Sequence, residues 1–167
     1  MRLRLIVALL LVGLTLTQSA WARPKSPGPG ADDFKGRMQK VLAAWETLDS
    51  AKAAPFYAKD ADLKFFDLAP LKYTGWAEYA AGVDKVAADL KSIRFTLGDD
   101  ARTYRRGNVA WATATMRAEV ATKGGAKQTI EGRWTLVWEK RGKDWLIVHE
   151  HFSAPLPSME TTGPPHL

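Results

Sequence analysis

Cysteine is absent from this chain, and histidine occurs only three times. The first absence removes thiolate nucleophiles, cysteine metal sites and any disulfide framework, so stability has to come from packing. The second leaves little for a metal centre. His149 and His151 alternate and would point the same way along a strand, but two ligands are too few for a stable zinc site. The third histidine, His166, stands in a proline-rich tail. No metal site and no cofactor are therefore expected. No glycine-rich phosphate loop, hydrolase elbow or internal repeat occurs either. Positive charge is modest and scattered, which argues against nucleic acid as a partner. After residue 22 no stretch is long and apolar enough to span a bilayer.

The one long apolar run lies at the start. Arg2 and Arg4 form a basic n-region, Leu5 to Leu16 an apolar core, and Ala20-Trp21-Ala22 an A-x-A pattern. The run is shorter than the roughly 20 residues of a spanning helix. A signal peptide over residues 1–22 is expected, with export to the periplasm or the medium and no membrane contact after cleavage. Loss of Arg2 and Arg4 leaves 22 Lys and Arg against 18 Asp and Glu in 145 residues, enough for one domain with a core. Residues 23–32 carry Pro24, Pro27 and Pro29 with Gly28 and Gly30 and read as a flexible linker. Residues 157–167 read as a flexible tail. One domain is left, over residues 33–156.

Within it, helical patterns precede strand patterns. Asp32 or Asp33 can cap a helix whose Phe34, Met38, Val41, Leu42, Trp45 and Leu48 share a face. Asp49-Ser50 stops it and can cap a short second helix reaching about Tyr57. Leu63 to Asp67 reads as a strand closed by Ala69-Pro70, and Lys72-Tyr73 as a brief edge strand. Thr74 is placed to cap a third helix containing Trp76, Tyr79 and Val83, although Gly82 weakens it. From Ser92 the period changes to two. Ile93 to Arg105 reads as a strand, bulged around Gly98-Asp99-Asp100, and Asn108 to Thr122 as the next, with alanines along one face. The last hairpin is the strongest pattern. Trp134, Leu136 and Trp138 alternate with Arg133, Thr135, Val137 and Glu139, and Arg141-Gly142-Lys143-Asp144 forms the turn. Strict alternation beyond it puts Leu146, Val148, Glu150 and Phe152 on one face and Trp145, Ile147, His149 and His151 on the other. The expected class is α+β: a curved, cone-like antiparallel sheet with the N-terminal helices packed on its concave face.

The order helix, short helix, strand, helix and long strands resembles the nuclear transport factor 2-like superfamily. The motifs resemble its SnoaL-like branch, and they are similar to the association domain of calcium/calmodulin-dependent protein kinase II. Trp138, the basic turn Arg141-Gly142-Lys143, Trp145, and His149-Glu150-His151 followed by Ser153-Ala154-Pro155 carry that likeness, as does the segment from Phe56 to Asp67. The resemblance implies the cone-shaped fold and a homodimer. Where the kinase domain has cavity arginines this chain has Leu136 and Phe152, so a carboxylate-binding arginine cluster is not implied. Asp67 matches an acidic pocket position. An isomerase's aspartate base and oxyanion donor pair cannot both be matched.

Trp45, Tyr57, Phe66, Trp76, Trp134, Leu136 and Phe152 are the expected lining of an aromatic pocket, with Glu150 and Asp67 as its carboxyl groups. A carboxylate among aromatic rings has its charged form disfavoured and can carry a proton. Equally, Glu150 can pair with an arginine or reach solvent, and Asp67 can cap the turn before Pro70. Trp111, Val137, Ile147, His149 and His151 are expected on the outer face as a homodimer interface, because an exported monomer rarely leaves such a patch open. The functional expectation is a domain that binds a small apolar or partly polar organic ligand. One alternative is a metal-free isomerase or lyase that moves a proton next to a carbonyl through Glu150 or Asp67. The other is a structural homodimeric assembly module.

Overall fold

In the computed structural model residues 33–156 are described. The expected signal peptide (1–22) and linker (23–32) and the tail (157–167) lie outside the described residues. Asp33 caps the first helix, α1 (Phe34–Trp45), by accepting the Gly36 N–H at 2.8 Å. Asp49 does the same for α2 (Ser50–Ala53), taking the Ala51 N–H at 2.9 Å. A single 3₁₀ turn, Ala54–Phe56, then leads Tyr57 into the interior. The third helix, α3 (Gly75–Ala87), begins differently from expectation. Thr74 sits at its N-cap, but no capping bond comes from its hydroxyl, which accepts from Lys64 Nζ at 3.2 Å. The Glu78 carboxylate instead takes the Thr74 N–H at 2.8 Å. The buried Ser50 hydroxyl donates to Asp84 at 2.7 Å and ties α2 to α3.

The strands are β1 (Lys64–Phe66), β2 (Tyr73–Thr74), β3 (Leu90–Leu97), β4 (Arg102–Arg106), β5 (Val109–Thr122), β6 (Lys127–Arg141) and β7 (Asp144–Ser153). They form a seven-stranded sheet in the order β2-β1-β7-β6-β5-β3, with β4 also pairing to β5. Every pairing is antiparallel except β1 with β7. The expected strand from Ile93 to Arg105 is two strands. Its chain breaks where the Asp100 carboxylate accepts the Thr115 N–H at 3.0 Å and the Thr115 hydroxyl at 2.9 Å.

Packing on the concave face follows a large-against-small rule across β5 and β6. Ala110 faces Trp138, Ala112 faces Leu136 and Ala114 faces Trp134. Two indole rings and a leucine occupy the depth that the alanines leave free. Helix α1 supplies the other side of this core. Phe34 meets Trp138 at 5.2 Å and Trp145 edge-on at 5.0 Å between ring centroids.

One register feature corrects the sequence reading. Trp138 pairs with Ile147 but Val137 pairs with His149, so Val148 is an extra residue in β7. Such a bulge reverses the alternation of everything before it. Trp145 and Ile147 consequently face the core, and Ile147 is 0 % exposed. The expected outer-face position of Ile147 is thus wrong, as is the expected inner position of Leu146. Glu150 and Phe152 lie beyond the bulge and face inward, opposite Leu136 and Trp134.

Gly82 has a packing reason. A Cβ there would lie 2.2 Å from the Tyr73 ring, which is buried and hydrogen-bonded through its hydroxyl to the Ala69 carbonyl. Helix propensity alone makes Gly→Ala favourable by about 1 kcal/mol. Here Gly82→Ala is expected to destabilise by about 1–3 kcal/mol, because the buried ring has to move. Urea unfolding checks the sign, and an unchanged or raised midpoint would refute the packing account.

Candidate functional site

The concave face carries one buried acid. Glu150 is 4 % exposed. Its Oε2 accepts from the Tyr57 hydroxyl at 2.5 Å and the Tyr79 hydroxyl at 3.3 Å, and its Oε1 accepts from Trp134 Nε1 at 2.6 Å. Trp45 Nε1 extends the chain by donating to the Tyr57 oxygen at 2.9 Å. The donors come from four elements: α1, the turn after α2, α3 and β6. Strand pairing places the acid, since β7 sets Glu150 beside Phe65 of β1 and opposite Leu136 of β6.

Burial pushes the Glu150 carboxyl up to about 7 from its ordinary 4.5. The hydrogen bonds from Tyr57, Trp134 and Tyr79 pull the other way, and the nearby Asp67 charge adds to the rise. Tyr57 and Tyr79 are both held well above the usual tyrosine range, first by burial and then by the Glu150 charge. Both phenols therefore remain donors at neutral pH.

The aromatic residues expected to line a pocket pack on one another around this acid. Tyr57 and Trp76 have centroids 4.6 Å apart, Trp45 and Trp76 6.0 Å, and Trp45 and Tyr79 5.7 Å. Phe65 stacks on Tyr79 at 4.9 Å. Trp76 is half-buried and carries the Lys59 ammonium 3.9 Å above its ring. Trp134 and Leu136 are buried in the same core.

A cavity of about 540 Å³ lies beside this cluster, where β1 and β7 end. Its walls are Phe66, Asp67, Leu68, Leu71, Lys72, His151, Phe152, Ser153 and Ala154. Of the expected pocket residues it gathers Phe66, Asp67 and Phe152, together with His151 from the expected outer set. Trp45, Tyr57, Trp76, Trp134, Leu136 and Glu150 are not among its walls. Asp67 is half-buried and takes the Leu68 N–H on Oδ1 at 2.7 Å. Burial raises its carboxyl above the usual range, and that hydrogen bond lowers it. Of the two expected acids, Asp67 is the one that a molecule in this groove meets.

Phe66 does not join the inner cluster. It alternates with the buried Phe65, so its ring lies on the outer side, edge-on to His149 at 5.3 Å and His151 at 5.7 Å. His149 Nδ1 lies 2.8 Å from the Lys64 carbonyl oxygen, so that nitrogen acts as the donor and is occupied. Trp111 stacks on Tyr104 at 5.3 Å, and Val137 pairs with it across the strands. The sequence reading missed Tyr79 as a Glu150 donor and Leu68, Leu71 and Lys72 as groove walls. Two leucines flanking Ala69-Pro70 in a loop were the available signal, because an isolated turn has no use for them.

The SnoaL-like domain profile matches residues 36–157. The chain belongs to the SnoaL-like domain family. Solved structures agree in fold. A nuclear transport factor 2-like superfamily protein from Salmonella enterica is 19% identical, with a TM-score of 0.69 over 78% of this chain and 94% of the other. A proposed calcium/calmodulin-dependent protein kinase II association domain from Xanthomonas campestris is 20% identical, with a TM-score of 0.65 over 79% of this chain and 94% of its own. A proposed dehydratase of the nuclear transport factor 2-like family from Streptomyces avermitilis is 16% identical, with a TM-score of 0.65 over 74% and 95% of the two chains. No curated protein matches the sequence. At these identities the likeness concerns the fold alone, and one fold serves many sites.

The buried acid of this SnoaL-like domain makes stability depend on pH with a definite sign. The folded chain keeps the Glu150 proton up to about pH 7, whereas the unfolded chain releases it near 4.5. Between those values the folded state binds more protons, so stability falls as pH rises and levels off above the folded value. The full span is roughly 3 kcal/mol on the scale of one pKa unit per 1.36 kcal/mol. Denaturant unfolding of the wild type and Glu150→Gln from pH 5 to 8 should show the wild type losing stability relative to the variant. Parallel pH curves would show that Glu150 does not titrate in that window.

Proposed function

We propose that this domain binds a small, mostly apolar organic molecule in the groove at the ends of β1 and β7. The groove itself is the observation that carries the reading. Its volume of about 540 Å³ suits one small ligand. Phe66, Leu68, Leu71 and Phe152 supply apolar wall, and Asp67, Lys72, His151 and Ser153 are its few polar groups. Leu68 and Leu71 are exposed at 48 % and 90 %, an open apolar surface that a ligand would cover. Glu150 acts from behind as a fixed partner for the ring cluster, with its oxygens already engaged.

Chemical-shift mapping of the labelled protein against a panel of neutral aromatic and alicyclic fragments tests this. Bound fragments should move amides in 66–72 and 151–154. Leu71→Asp lies outside the core and should weaken them about tenfold or more, since burying an unpaired charge against an apolar ligand is costly. Shifts confined to other surfaces, or none across the panel, would remove the groove from consideration.

The same reading places two copies of the chain back to back across the outer sheet face. Tyr104, Trp111 and Val137 form an apolar strip there, and Val109 and Phe66 add exposed area at 43 % and 36 %. Such a strip can meet itself across a two-fold axis. Light scattering should give twice the chain mass for the wild type and a monomer for Trp111→Glu combined with Val137→Glu. A wild-type monomer at high micromolar concentration would exclude the pairing.

A further inference from the structure

The polar groups of the groove also say what kind of molecule it prefers. Asp67 is half-buried among Phe66, Leu68, Leu71 and Phe152. Among the described residues its one hydrogen bond is the Leu68 N–H on Oδ1, and no lysine, arginine or histidine forms an ion pair with it. Such a carboxylate has lost water without gaining a countercharge. The Asp67 charge reaches the buried Glu150 and raises its carboxyl, so the acid behind the groove supplies no countercharge. Lys72 and His151 line the same groove, but both are exposed, and water screens the Lys72 charge.

Resting on that ligand-binding reading, we propose that the groove selects small amphipathic molecules carrying a protonated amine. The ammonium sits on Asp67 Oδ2 and the apolar body lies over Phe152, Phe66 and Leu71. The chemistry is a charge-assisted hydrogen bond to a partly desolvated carboxylate, stronger than the same contact in water. A neutral alcohol keeps the apolar contact and a single uncharged hydrogen bond. A carboxylate ligand meets Asp67 as a like charge.

Three probes of one shape separate the possibilities: 1-naphthylmethylamine, 1-naphthylmethanol and 1-naphthoate. Each is titrated into the labelled full chain near neutral pH, with the amides of 66–72 and 151–154 as reporters. The amine should bind at least about tenfold tighter than the alcohol, and the naphthoate more weakly than either. Asp67→Asn should abolish the amine's advantage while leaving the alcohol within about threefold. The order of affinities is read on the wild type, so it stands even where the variant folds poorly. Equal binding of all three, or tightest binding of the naphthoate, overturns the preference for an ammonium and leaves the groove as a site. Shifts from none of them overturn both.

Discussion

The hydrogen bonds that converge on Glu150 hold the rest of this domain in register. One carboxyl group receives Tyr57 from the turn after α2, Tyr79 from α3 and Trp134 from β6, while itself riding on β7. Without it, the buried Tyr57, Tyr79 and Trp134 donors would each lose the acceptor they now share. An orphaned buried donor costs about 1–3 kcal/mol, so the arrangement has an energetic reason that does not depend on catalysis. The same burial makes the ionised acid costly, and its titration near 7 expresses that conflict. Desolvation outweighs the donors, but only in part.

The groove follows from where that network stops. Phe65 turns inward to stack on Tyr79, and the next residue, Phe66, turns outward to the histidines. Beyond them β1 ends, and the loop through the cis Ala69–Pro70 bond swings out before Tyr73 returns to the sheet. Phe152 near the end of β7 packs against the core on one side and lines the opening on the other. A ring cluster sealed by an internal acid and an apolar opening with its own acid are consecutive parts of one sheet end.

Much of this was legible in the sequence, and the reasons for success and failure are specific. The tryptophans of β6 announced the buried face through a strict period of two, and the matching alanines of β5 confirmed it. Glu150 was placed inward by register from Trp134 and Leu136, and that inference stayed on the correct side of Val148. Ile147 was misplaced because a bulge leaves no mark in composition: Leu146, Ile147 and Val148 are all apolar, and either alternation looks sound. Gly82 weakened α3 on propensity alone because its partner, the Tyr73 ring, comes from another element. The rings of Trp45, Tyr57 and Trp76, expected around a cavity, stand against one another, and Trp134 lies in the same buried core. Sequence identifies which rings share a face, but whether they enclose space or fill it depends on distances such as the 4.6 Å between Tyr57 and Trp76.

The two acids finally bear on each other. Asp67 follows β1 and Glu150 sits in β7, and these strands run side by side in parallel. The charge on Asp67 contributes to the elevation of Glu150, and it also raises Tyr57 and Tyr79. The field of the Asp67 charge therefore reaches the buried network from the groove wall. A cation beside Asp67 offsets part of that field and draws the Glu150 titration downward, favouring the ionised form that accepts from all three donors. An anion there acts in the opposite sense. Because Glu150 titrates near neutrality, a small displacement in either direction changes its charge where a normal glutamate would not respond.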